Sequence, residues 1–372
     1  MKRLLNLIII TLIITSCGKN ENKQVIKEQA SIDLQLELGV VSPKSVFVND
    51  TISIWGGALV KGEDSLYHMF YSRWPKKLGW EWLTYSEIAH ATSKSPFGPF
   101  THKDVALPMR DHSKWDGTTT HNPTIHKFDG KYYLYYMGTT GDLKTPSVPG
   151  KPAFNWIHRN NQRIGVAVSE SPNGPWKRFD KPVIDVSPND NAHDALMASN
   201  PSVCKMPDGK FLMVYKAVGK KRKLPGGGPV VHLVAIADTP TGPFKKYPAP
   251  VFTVQGEDFP AEDPYIWYQD GKYRAIVKRM GSNDGKREKS LIHYDSEDGI
   301  HWKEAKYFQV SDKTITWEDG SKTKFEHLER PQLFFENGKA IALLCAADSL
   351  DVNNVLHSFN IQIPLNITKH TK

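Results

Sequence analysis

The 372-residue chain has only three cysteines. None of them forms a CxxC pair, so neither a redox dithiol nor a zinc knuckle is indicated. HExxH and P-loop motifs are absent, and no glycine-rich fingerprint joins a strand to a helix, which removes the usual signals for a metalloprotease or a nucleotide enzyme. No long amphipathic helical pattern is present. No basic cluster interleaves with aromatics on one element, so the formal charge of +8 gives no reason to expect a nucleic-acid partner. That charge suits an anionic partner or a solvated basic surface.

The longest apolar run, Leu4 to Ile14, is too short to span a bilayer. It follows Met1-Lys2-Arg3 and reads as the core of a signal peptide. The run ends in Ile14-Thr15-Ser16-Cys17 and resembles the lipobox of bacterial lipoproteins, with Cys17 as the lipidation site. An ordinary signal peptide is the alternative. Residues 1–17 are thus expected to be a lipoprotein signal and 18–30 a polar tether. Residues 31–372 are expected to form one domain, exported and anchored to a bacterial membrane by its N-terminal lipid. Cys204 and Cys345 lie in apolar runs and are expected as core residues.

What the chain has in abundance is proline (25) and glycine (27), distributed as a repeat. His121-Asn122-Pro123 precedes Asp129-Gly130-Lys131-Tyr132-Tyr133. Ser199-Asn200-Pro201 precedes Asp208-Gly209-Lys210-Phe211. Glu262-Asp263-Pro264 precedes Asp270-Gly271-Lys272-Tyr273, and Glu329-Arg330-Pro331 precedes Asn337-Gly338-Lys339. A degenerate first copy is Gly56-Gly57-Ala58 with Glu63-Asp64-Ser65. Each copy is a strand, a two-residue hairpin turn and a second strand. A further phrase, Ser95-Pro96-Phe97-Gly98-Pro99-Phe100, recurs at Ser171 and Thr239 and leads to an outer strand. Five such units predict an all-β, five-bladed β-propeller of small antiparallel sheets around an axial pocket. The tail 355–361 is expected to help close the ring with the segment around Leu34 to Val41.

In a propeller the inner strand of each blade starts at the mouth of the axis. Those positions are assigned to Gly57, Asn122, Asn200, Asp263 and Arg330, with His121, Ser199, Glu262 and Glu329 just before them. The repeats resemble the five-bladed propeller glycosidases, glycoside hydrolase family 43 and especially family 117. The resemblance implies an inverting glycosidase, with one acid and one base spaced to admit a water. Family 43 places its base at the blade-one inner strand, where this chain has Trp55-Gly56-Gly57-Ala58. Similarity to family 117 makes Asp116 the base, Asp263 the orienting carboxylate and His327 the acid. Glu329 is a further catalytic candidate beside Arg330, since His327 and Glu329 are two residues apart on an extended segment and face one side. A loop turn at Asp116 and a structural imidazole at His327 are the plain alternatives.

Substrate contacts are expected from Trp115, His121, Asn122, Asn200, Glu262 and Arg330. Lys216, Lys278 and Arg279, at strand ends, would meet carboxylate or sulfate groups. Trp55, Trp156 and Trp267 are further rim aromatics. No cofactor is required, although His121 and His193 could hold an axial divalent cation. The expected activity is exo-acting hydrolysis of an acidic, sulfated or anhydro-sugar oligosaccharide. A non-catalytic glycan-binding lipoprotein and a family 130-like phosphorylase are the alternatives. A protein-interaction propeller is disfavoured by the charged inner positions.

Overall fold

The computed structural model describes residues 32–144, 155–282, 285, 288–350 and 355–371. The expected signal peptide, Cys17 and the expected tether lie outside these residues. Strands fall into five four-stranded antiparallel blades, numbered along the chain and each described from the axis outward. Blade one is Ile52–Lys61, Tyr67–Pro75, Glu87–Ser93 and Thr101–Leu107. Blade two is Thr119–Phe128, Lys131–Thr139, Arg163–Ser169 and Lys177–Arg178. Blade three is Met197–Lys205, Phe211–Val218, Val230–Ala237 and Lys245–Val251. Blade four is Ala261–Gln269, Lys272–Arg279, Ser290–Ser296 and Lys303–Ser311. Blade five takes Leu328–Glu336, Lys339–Leu350 and Leu356–Thr371 from the end of the domain, and its outer strand, Ile32–Leu38, from the beginning.

The predicted hairpins follow from turn chemistry. Asp129-Gly130, Asp270-Gly271 and Asn337-Gly338 all have both residues at positive φ, as a type I′ turn requires. Apolar residues alternate along the strands and face the neighbouring blades, so each of the five blade interfaces has its own apolar cluster. Cys204 packs between blades three and four and Cys345 between blades four and five, both as buried free thiols.

Ring closure is a strand pairing between the two ends of the domain. Ile32 to Leu38 pairs with Thr371 back to Leu365, and Leu34 and Leu36 are buried in the cluster that joins blades four and five. The fully buried Arg274 of blade four adds a polar tie. It donates to the Ile32 carbonyl at 2.8 Å and to Asp295 at 2.9 Å.

All five inner strands carry an irregularity at the same height. The register shifts fall at Trp55/Ala58, His121/Thr124, Ser199/Ser202, Glu262/Tyr265 and Glu329/Gln332. Each bulge contains one left-handed residue: Gly56 (φ 58°), Asn122 (52°), Asn200 (51°), Asp263 (51°) and Arg330 (54°). The blade-one counterpart of the axial residues is therefore Gly56 and not Gly57, which takes the place of the prolines. Bulges expose backbone groups and re-aim side chains. Here a side chain of the preceding blade takes up the freed amide: Ser72 Oγ accepts from Asn122 N at 2.8 Å, and Asn360 Oδ1 from Gly57 N at 3.1 Å.

Leu34→Ala should lower unfolding free energy by about 2–5 kcal/mol, the usual cost of emptying a buried leucine site. Denaturant titration of the protein measures it directly.

Candidate functional site

The five left-handed positions converge on the axis, where their side chains form a closed polar ring. Asn122 Nδ2 donates to Asn200 Oδ1 at 2.9 Å, and Asn200 Nδ2 to Asp263 Oδ1 at 2.7 Å. Arg330 then donates to Asp263 Oδ1 and to the Asn122 carbonyl, both at 3.3 Å. Gly56 contributes no side chain, and a Cβ there would lie 3.5 Å from Arg330 Cγ and 3.3 Å from Asn122 Oδ1. The arginine thus lies alongside the bare blade-one position. All four ring side chains are buried.

Above the ring, residues one step earlier on the inner strands line a pocket of about 180 Å³. Its charged side is an alternating ladder that crosses three blades. Lys216 on the second strand of blade three reaches Glu262 Oε1 of blade four at 2.8 Å. Lys278 on the second strand of blade four reaches Glu262 Oε2 at 3.0 Å and also touches Glu329 of blade five. Burial alone would raise the Glu262 carboxyl, but the two ammonium groups outweigh it and hold that carboxyl well below its usual range. Glu329 goes the other way: burial pushes it up against the pull of Lys278, and the charges of Glu262 and Asp263 add to the rise. Lys278 stays protonated although burial opposes it, because three carboxylates surround it.

Glu262, Asp263 and Glu329 bring carboxylate oxygens within 4.8 Å of one another, a spacing that could hold a metal ion. The Lys278 ammonium already supplies positive charge to this group. His121 lines the pocket and meets Ser86 Oγ at 2.7 Å. Burial, then the charges of Arg330 and Lys216, keep its imidazole neutral. His193 sits in the loop before blade three and lines no part of the pocket.

The opposite wall is aromatic and comes from blade one. Trp55 and Trp74 are buried, and Trp80 and Trp82 are partly exposed. Trp80 meets Trp55 and Trp74 edge-on at 5.1 and 5.4 Å, and Trp82 stacks on His121 at 4.5 Å. Trp74 Nε1 donates to the Gly79 carbonyl at 2.8 Å and pins the loop that carries Trp80 and Trp82. Nothing in the repeat pattern points to Trp74, Trp80 and Trp82. Their signal is three tryptophans within nine residues, Trp74 at the end of the second strand and Trp80 and Trp82 on the connection to the third, which lies at the same end of the blade as the start of the inner strand.

Other expected residues are placed elsewhere. Asp116 is fully buried inside blade two, gripped by Arg110 and by Tyr136 Oη at 2.6 Å, with Arg178 at 3.4 Å. It lines no part of the pocket, so both of its oxygens serve the packing of the blade. Trp115 stacks on Tyr136 and donates to the Phe179 carbonyl at 3.2 Å, also away from the pocket. Arg279 turns outward onto Phe308 and Glu304 of the outer strand. Trp267 is buried against His293, and Trp156 is exposed. His327 is half-exposed at the start of blade five and lies opposite Asp348, whose Oδ2 is 2.7 Å from its Nδ1. That hydrogen bond raises the pKa of the imidazole above its ordinary value.

A sequence profile described as the N-terminal domain of glycosyl hydrolases family 32 matches residues 202–327. No curated protein matches the chain. Among solved structures, the chain is similar to Zg3597, a family 117 glycoside hydrolase produced by the marine bacterium Zobellia galactanivorans. Identity is 17%, coverage 90% of each chain and TM-score 0.60. It is similar to BT0996 in an RGII complex, at 16% identity, 87% and 92% coverage and TM-score 0.61. A thermostable family-43 glycoside hydrolase aligns at 14% identity over 90% and 96%, with TM-score 0.57. At these identities the likeness is one of architecture: the chain has the five-bladed β-propeller fold that these hydrolases share.

Proposed function

We propose that this protein is a glycoside hydrolase that removes a terminal sugar from an oligosaccharide, with His327 as proton donor and Glu329 as base. The observation that carries this reading is a pair of ionisable groups with raised pKa, Glu329 in the pocket lining and His327 two residues before it on the approach to the blade-five inner strand. An inverting pair holds its two groups ~6.5–9.5 Å apart to admit a water; two residues of extended chain space the backbone of His327 and Glu329 by roughly 7 Å and turn both side chains to one side. Glu262, Asp263 and Glu329 approach each other too closely for any two of them to be that pair. The axial ring blocks the pocket floor, and 180 Å³ is about six waters' worth of space. One sugar ring fits, and in this reading the rest of the chain leaves on the side of His327, which would protonate the leaving-group oxygen.

A glycan-binding role without turnover is favoured by one observation: the blade-one axial position is a glycine, Gly56, and carries no carboxylate. Release of reducing sugar from a panel of oligosaccharides separates the two readings. His327→Gln and Glu329→Gln should each lower kcat by about 10²–10⁴, the usual worth of a positioned acid or base, with circular dichroism unchanged. Full turnover in both variants would sink the assignment.

The pH profile gives a second test. Activity rises with pH as Glu329 loses its proton and falls as His327 loses its own. Asp348 is the largest cause of the raised His327 pKa, so Asp348→Asn should move the alkaline limb to lower pH and leave the acid limb in place. Export and lipid anchoring at Cys17 belong to the same proposal and rest on the apolar run and the Ile14-Thr15-Ser16-Cys17 sequence. Palmitate labelling of the wild type in a bacterial host, lost in Cys17→Ser, is the expected result.

A further inference from the structure

The two walls of the pocket are chemically opposed, and together they specify a kind of sugar. We infer that the pocket selects an uncharged sugar ring, held by its C–H face against the blade-one tryptophans, and excludes uronic acids and sulfated sugars. This rests on the reading of the pocket as a sugar site, though not on hydrolysis. It reverses the expectation, drawn from net charge and basic strand ends, that an anionic glycan is the ligand.

The charged wall carries the first part of the argument. Lys216 and Lys278 are paired with Glu262, Lys278 also with Glu329, and Arg330 with Asp263. Three cationic side chains thus face three carboxylates, and Arg279, the one further cation at these strand ends, turns away onto Phe308. His121 is neutral. An anionic substituent entering here would find no cation without an existing partner. It would add charge beside Glu262 and Asp263, and an unpaired charge in an enclosed site is costly. Sugar hydroxyls carry no such penalty, because the outer lone pairs of Glu262 and Glu329 can accept from them.

The aromatic wall carries the second part. Trp55, Trp74, Trp80 and Trp82 belong to one apolar cluster, and every lining residue that blade one contributes is one of these tryptophans. Their geometry is fixed: the edge-on contacts of Trp80, the stack of Trp82 on His121, and the Trp74–Gly79 hydrogen bond hold the loop. Aromatic rings pack against C–H surface and gain by its desolvation, and a pocket so lined orients its ligand through few polar contacts. A ring that turns C–H groups to the tryptophans and hydroxyls to the carboxylates satisfies both walls at once. A 6-deoxy sugar, with a methyl in place of a hydroxymethyl, does so best.

Intrinsic tryptophan fluorescence of the wild-type protein reads binding without any turnover. The probes are methyl glycosides in matched pairs, glucoside against glucuronide and galactoside against galacturonide, together with galactose 6-sulfate and methyl rhamnoside. The expected result is saturable change with neutral members, strongest for the rhamnoside, and at least tenfold weaker binding of every charged one. By calorimetry, Trp82→Ala should weaken the preferred neutral glycoside at least tenfold, while Trp82→Phe, which keeps the stack on His121, restores most of the affinity. Equal or tighter binding of a charged member overturns the inference, as does an unchanged affinity in Trp82→Ala or no binding by any neutral glycoside. Neutral binding without sugar release would retire the hydrolase reading and leave this one standing.

Discussion

Five inner strands meet on one axis, and each breaks its ladder at the same height with one left-handed residue: Gly56, Asn122, Asn200, Asp263 and Arg330. In blades two, four and five the bulge turns one side chain into the ring and the preceding one, His121, Glu262 or Glu329, into the pocket. Left-handed geometry is unfavourable for an arginine, so Arg330 is held there by what surrounds it: Asp263, the Asn122 carbonyl and the space above Gly56. The pocket, its floor and its ladder of charges all take their positions from these bulges.

Charge is handed from blade to blade in one direction. A residue on the second strand of one blade reaches the inner strand of the next, as Ser72 does to Asn122, Lys216 to Glu262 and Lys278 to Glu329. The ladder therefore reports how the blades are seated against each other as well as what fills the pocket. It also sets the two glutamates apart electrostatically. Glu262, with an ammonium on each oxygen, stays ionised, whereas Glu329 shares its one ammonium and sits among other negative charge. Neighbouring carboxylates with opposed environments are how one site can hold different protonation states at the same pH.

The architecture was legible in the sequence because hairpin turns and inner-strand phrases are local, and they recur. Asp-Gly and Asn-Gly need only their own backbone geometry to mark a turn, and five copies fixed the blade number. The pocket residues Glu262, Asp263 and Glu329 could be named because they hold a repeat position. What position cannot convey is direction. Asp116 precedes an inner strand much as a catalytic residue would, yet Arg110, Arg178 and Tyr136 draw it into blade two. Arg279 follows Lys278 at a strand end and faces the opposite side. Of the aromatic wall, Trp55 belongs to the repeat phrase and was among the expected rim aromatics, whereas Trp74 at the end of the second strand and Trp80 and Trp82 on the connection after it carry no repeat signal, and the one-residue slip from Gly56 to Gly57 came from a copy without its proline.

The pairing of Ile32 with Thr371 bears on how the molecule comes to be folded. The first strand of the domain is the outer edge of the last blade, so its partner is the last of the described strands to leave the ribosome. Four blades can acquire their hairpins from local contacts as the chain lengthens, but the fifth must wait for both ends of the domain. Until then the buried faces of Leu34 and Leu36 have nothing to cover them, and an open edge of blade five is free to pair with a strand of another molecule. The two ends of this domain are thus the last apolar surfaces to be covered as the chain is made.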